Sequence, residues 1–253
     1  MWRTIAGAYA SVFRNPGLFV RVGWAWMAVA YAAKIAASVF AIPFAGTIVH
    51  FLALTAFAVL WHRSILLDER PAGLVHLRVG KAEIRYFLLG LLLTAAILAP
   101  AIAMQQWALV QAPHASGPVA VAILAAMIAV LWASLAVVAR LTLVYPATAI
   151  GAFAFGFKQS WRMTHGNTLR ILGGALLATL PWTVVVIILN VAVKRMAADP
   201  GGLAAAAFLL IPEVVLSFVQ IALCAAVLSY AYELIVGQAG VENGTPEAAG
   251  DAT

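Results

Sequence analysis

Few residues in this chain have side chains suited to chemistry, and those few lie inside apolar runs. They are Lys34, His50, Arg140, Glu213 and Glu233, with the amides Gln105, Gln106, Asn190 and Gln220. A charge left unpaired in apolar surroundings is costly, so each of these needs a partner, a route to water or a function. Paired inside a membrane, such groups are suited to passing protons or ions. The other familiar chemistries lack their residues. There is no HExxH, no Walker A loop, no GxSxG, no GxGxxG and no pair of intramembrane aspartates. His50, His62, His76, His114 and His165 have no metal-ligand spacing, and Cys224 is the single cysteine. The sequence therefore leads us to expect no enzyme, no cofactor and no metal.

The composition says what surrounds these residues. Of 253 residues, 65% are hydrophobic and only 9% are charged. Soluble domains run at about 25% charged residues, so this chain lacks the polar surface to cover a water-facing fold. In lipid, only helices or closed barrels satisfy every backbone group. The apolar runs are long and do not alternate, which selects helices. The net charge of +6 sits at the edges of these runs, as in membrane proteins, and does not point to nucleic acid.

The expected fold class is all-α: a polytopic helical membrane protein with six transmembrane helices and two amphipathic interfacial helices. The first interfacial helix spans 2–14, with Ile5, Tyr9 and Val12 on one face and Arg3 and Arg14 on the other. Asn15-Pro16 then opens a new helix. Spans are expected at about 17–40, 44–67, 86–109, 118–142, 169–193 and 203–236. Pro100 and Pro181 are candidate kinks, and Pro212 is expected to divide the long last run. Residues 1–237 form one domain, and the small, acidic stretch 238–253 reads as a disordered tail.

Six spans put both termini on one side. Twelve of the fifteen Lys and Arg residues fall at that end, and only Lys34, Lys194 and Arg195 fall toward the other. By the positive-inside rule the basic end is cytoplasmic.

The second interfacial helix is expected at 152–163. Phe153, Phe157 and Trp161 stack at i, i+4, i+8 beside Lys158, Arg162 and His165. The aromatics suit the acyl boundary and the cations suit phosphates. Phe155 falls in the polar stripe and is expected to pack against the spans. Arg3, Arg14, Lys158 and Arg162 are the candidate contacts to anionic headgroups of the bilayer; no protein partner is indicated.

The stretch with Arg140 closing a span, then Pro146, Ser160-Trp161, Gly166-Asn167 and Arg170 resembles bacterial polytopic membrane families related to the membrane domain of glycerophosphodiester phosphodiesterases. The segment WHRSILLDERP, residues 61–71, resembles part of proteobacterial membrane proteins. The sequence contains no phosphodiesterase domain, so what the resemblance implies is a helical protein of the bacterial inner membrane with no assigned activity.

Two constellations follow from depth. Lys34, His50 and Glu213 lie at comparable distances from the outer ends of spans 1, 2 and 6, and form a candidate polar cluster. The competing reading makes Glu213 a first-turn acid in a helix opened by Pro212. Arg140 and Glu233 lie near the inner ends of spans 4 and 6, and form a candidate ion pair at the cytoplasmic edge. The expected role is that of a non-enzymatic scaffold, accessory or lipid-interacting regulatory protein. The alternative is a small transporter with its polar site near the outer halves of spans 1, 2 and 6.

Overall fold

A computed structural model describes residues 2–70, 73, 75–111, 116–198 and 202–242. Among them there are helices and no strands. In chain order the helices are α1 (Trp2–Phe13), α2 (Pro16–Val39), α3 (Pro43–Leu66), α4 (Lys81–Gln111), α5 (Gly117–Leu141), α6 (Val144–Ala149), α7 (Phe157–Met163), α8 (Thr168–Ala198) and α9 (Leu203–Glu242). Six of them, α2, α3, α4, α5, α8 and α9, contain stretches long and apolar enough to cross a membrane. The chain is a multi-pass helical membrane protein.

Helix α9 is the central element. It packs most extensively on α8 and also touches α1, α2, α3 and α6. Its buried face includes Val214, Phe218, Ala222, Leu223 and Val227, which meet Val22, Trp26, Phe57 and Trp61 from α2 and α3. Aromatic rings interlock there: Phe57 meets Phe218 edge-on at 5.1 Å and stacks on Trp61 at 5.7 Å. Helices α2 and α3 cross closely at Gly46, where an added Cβ would come within 2.5 Å of the Ala37 Cβ.

The periphery is the opposite. On α5 only Ile123 and Ala139 are buried, while Val121, Leu124, Ile128, Leu131 and Trp132 are exposed. Helix α8 likewise exposes Leu177, Leu180, Val184, Ile187 and Ile188. Contiguous apolar surface of this extent is stable against lipid and unstable against water.

The observed elements differ from the expected ones in instructive places. Helix α4 starts at Lys81, before the expected start at 86. Glu83 accepts a hydrogen bond from the Gly80 N–H at 2.8 Å, half of a capping box that fixes the earlier start. Helix α9 is continuous from Leu203 to Glu242, with Pro212 inside it. Pro212 therefore does not divide the last run, and residues 203–211 belong to span 6. The reading of Glu213 as a first-turn acid is overturned, because it lies ten residues into α9. The helix also passes the expected tail boundary by five residues, to Glu242; 243–253, the rest of the expected tail, lie outside the described residues.

The second interfacial helix is shorter than expected. Only Phe157–Met163 is helical. Gly151 has φ +81°, and Gly156 is extended with ψ 179°, so these two positions break the run over 152–156. Phe155 turns inward and packs edge-on against Tyr232 at 5.5 Å, as expected of the residue that did not fit the stripe. Helix α1 docks its Ile5, Ala8 and Val12 face against α8 and α9. Tyr9 fixes it there by donating to the Ala178 carbonyl at 3.0 Å and accepting from the Trp182 indole at 3.3 Å.

Candidate functional site

The residues with the greatest chemical potential meet between α2, α8 and α9. Lys34 lies five residues before the end of α2. Glu213 lies ten residues into α9. The Lys34 ammonium sits 2.6 Å from Glu213 Oε2. The glutamate side chain is 3% exposed and the lysine 19%. The other carboxylate oxygen, Oε1, accepts from Asn190 Nδ2 at 3.2 Å and from Ser217 Oγ at 3.4 Å. A buried carboxylate thus has donors on both oxygens, one of them an ammonium.

The local sequence explains the arrangement. Ser217 is one turn beyond Glu213 on the same helix, and its hydroxyl also bonds the Glu213 carbonyl at 2.8 Å. Asn190 belongs to the antiparallel neighbour α8. Seven residues along each helix the contact repeats, with Gln220 donating to Thr183 Oγ1 at 2.8 Å. The Glu213–Asn190 and Gln220–Thr183 pairs therefore register α8 against α9 across two turns. Asn190 and Gln220 stand in the sequence beside Gln105 and Gln106 as intramembrane amides, with nothing there to show which partners they meet.

His50, on α3, joins this region from the side. Its ring meets Phe218 edge-on with centroids 6.5 Å apart. It lies within electrostatic reach of both Lys34 and Glu213. Its Nδ1 is buried and makes no hydrogen bond among the described residues. Lys34 and Glu213 thus form a direct pair, and His50 is a neighbour without a bond to either.

A second buried polar group lies closer to the opposite end of the bundle. His62 is fully buried. Its Nδ1 is 2.7 Å from Ser229 Oγ, and its Nε2 is 3.0 Å from the Tyr86 hydroxyl. This ties α3 to α9 and α4. Tyr86 in turn packs on Tyr145 of α6, rings 4.6 Å apart. Sequence reasoning missed this group, because His62 stands there as one of five scattered histidines without metal-ligand spacing. The available signal was depth: His62 is four residues before the end of α3 and Tyr86 five after the start of α4. Consecutive antiparallel helices bring such positions level.

The expected pair of Arg140 and Glu233 does not form. Arg140 is occupied by other groups. Its guanidinium lies over the Trp161 ring at 4.5 Å, and its Nε donates to Thr168 Oγ1 at 3.2 Å. Its carbonyl accepts from Ser160 and Thr164. Helix α5 packs mainly on α4 and α8, and Glu233 is exposed on α9 with no ion pair among the described residues. A count of residues along each helix does not fix which faces meet. Arg140 instead holds α7 under the end of α5, a cation–π contact of the kind worth about 0.5–2 kcal/mol.

The four candidate headgroup residues, Arg3, Arg14, Lys158 and Arg162, are all exposed and make no ion pair among the described residues. Among the described residues no group of three or more His, Cys, Asp or Glu is placed to hold a metal. No protein-family model, curated protein or solved structure matches this chain.

Proposed function

We propose that this chain is a non-enzymatic protein of the bacterial inner membrane, with both termini in the cytoplasm, that acts as a lipid-interacting scaffold or regulator. The observation that carries the reading is the basic end of the bundle. Twelve of fifteen cations gather there by sequence, and Arg3, Arg14, Lys158 and Arg162 stand exposed, without acidic partners among the described residues. The cytoplasmic leaflet is anionic, and each Lys or Arg held at its surface contributes about 1 kcal/mol. The expected result is a higher melting temperature in nanodiscs containing phosphatidylglycerol than in phosphatidylcholine alone, with the gain reduced by salt. Identical melting in both lipids would contradict the reading.

The buried Lys34–Glu213 pair favours a second reading, a small transporter. Ionisable groups inside a membrane mark ion and proton pathways. Proton- or ion-dependent uptake by proteoliposomes, lost in Glu213→Gln, would select this reading over the first.

A further inference from the structure

Three arginines from different parts of the chain converge at the corner between α1 and α2. Arg14 follows α1, Arg21 lies in the second turn of α2, and Arg70 follows α3. All three are exposed and line one groove of about 790 Å³. The nearby acids do not neutralise them. Among the described residues Asp68 accepts from Arg70 alone, at 3.3 Å, and Glu69 is engaged by Arg63 at 3.3 Å. Arg14 and Arg21 have no acidic partner among the described residues. Three cations less one aspartate leave two positive charges facing the same space.

The rest of the lining has the shape of a lipid rather than of a free ion. Gly17, Val20, Arg21 and Trp24 fall on one stripe of α2. Val20 is 53% exposed and Trp24 42%. Trp24 is seven residues beyond Gly17, roughly 10 Å farther along the helix axis. Arg14 and Arg70 thus stand at the mouth of the groove, Arg21 is level with Val20, and Trp24 lies about one turn farther toward the bilayer interior. Tryptophan is at home at that boundary. The first turn of α2 opens on the same groove, and Asn15 makes no side-chain cap, so the positive end of the helix dipole adds to the field.

We propose that this groove binds the phosphate of an anionic phospholipid, with Arg14, Arg21 and Arg70 on the headgroup and Val20 and Trp24 along the first part of an acyl chain. The proposal rests on the lipid-interacting reading above and names its site. Arginine suits the role because its planar fork donates twice to a phosphate. The site also has a mechanical consequence. The α1–α2 corner, α2 and the segment after α3 would be held together by one lipid.

The test uses the full chain in mild detergent, with native mass spectrometry counting bound phosphatidylglycerol during titration. Two triple variants remove equal charge from the same end: Arg14→Gln/Arg21→Gln/Arg70→Gln, and the control Arg78→Gln/Lys81→Gln/Arg170→Gln, three exposed cations outside the groove. The groove variant is expected to weaken the tightest phosphatidylglycerol site by about tenfold or more, since charge-assisted hydrogen bonds are lost, and the control is expected to leave it nearly unchanged. Arg21→Gln alone gives a smaller loss in the same direction and covers the case in which the triple variant does not fold. Inorganic phosphate is the second probe; it is expected neither to bind at comparable concentration nor to displace the lipid. Equal weakening in both triple variants would overturn the site while leaving the broader reading intact. Displacement of the lipid by inorganic phosphate alone would overturn the lipid assignment. Absence of any phosphatidylglycerol binding by the unsubstituted chain would overturn both readings.

Discussion

Replacing Lys34 by methionine is expected to destabilise the detergent-solubilised protein by about 3–5 kcal/mol, the range for breaking one side of a buried ion pair. The reason lies in what remains. Glu213 is 3% exposed, and after the substitution its carboxylate keeps only Asn190 and Ser217 as donors. Neither carries a charge, and a short side chain ten residues into α9 has no route to water. The reverse substitution is expected to cost less. In Glu213→Gln the lysine is left alone, but it is already 19% exposed and sits five residues from the end of α2. Its long stem can carry the ammonium outward. The double variant Lys34→Met/Glu213→Leu is expected to recover most of the loss, because a well-packed apolar pair avoids the desolvation of both charges. Melting temperatures in one detergent check all three variants. Losses that simply add in the double variant would show that the residues are uncoupled.

The second large effect is expected at His62. In His62→Phe an aromatic ring remains and both ring nitrogens are lost; the somewhat larger phenyl ring is common to the single and triple variants below, so their difference reads the hydrogen bonds. Ser229 Oγ and the Tyr86 hydroxyl each lose a partner, 2.7 and 3.0 Å away. Ser229 is fully buried and Tyr86 is 6% exposed, so neither finds water. Each orphaned group costs about 1–3 kcal/mol, which puts the substitution at roughly 2–5 kcal/mol in all. The triple variant His62→Phe/Tyr86→Phe/Ser229→Ala removes every polar member at once. It is expected to be more stable than His62→Phe, since an apolar core is better than a half-satisfied network. A triple variant no more stable than the single one would mean that ring packing, and not hydrogen bonding, holds His62 in place.

Depth and facing are set by different things in this bundle. Depth along a membrane helix follows from residue number at 1.5 Å per residue. Lys34 and Glu213 were placed level by that count, and they meet. Arg140 and Glu233 were placed level by the same count, and they do not. Rotation about each helix axis, and the choice of neighbours, decide facing, and for α5 these depend on α4 and α8. The broken helix at 152–156 had a signal in Gly151 and Gly156, but the aromatic spacing of Phe153, Phe157 and Trp161 outweighed it. Phe155 was the visible exception, and it is the residue that enters the core. The run 203–236 is too long for one straight span of about 20 residues, which points to Pro212 as a divider. Within a packed bundle neighbouring groups compensate, and the helix continues. The basic groove at Arg14, Arg21 and Arg70 was not legible, because Arg70 returns to the start of α2 only after α2 and α3 have run their full length.

The central claim is that the end of the bundle rich in arginine faces the cytoplasm, where anionic lipid lies. A reporter enzyme active only outside the cytoplasm, fused in turn after Gly80, Gly151 and Ala198, tests it most directly. Gly151 lies between α6 and α7 at the basic end, and Ala198 closes α8 at the other. Activity is expected after Ala198, with none after Gly80 or Gly151. Activity after Gly151 with none after Ala198 would contradict it.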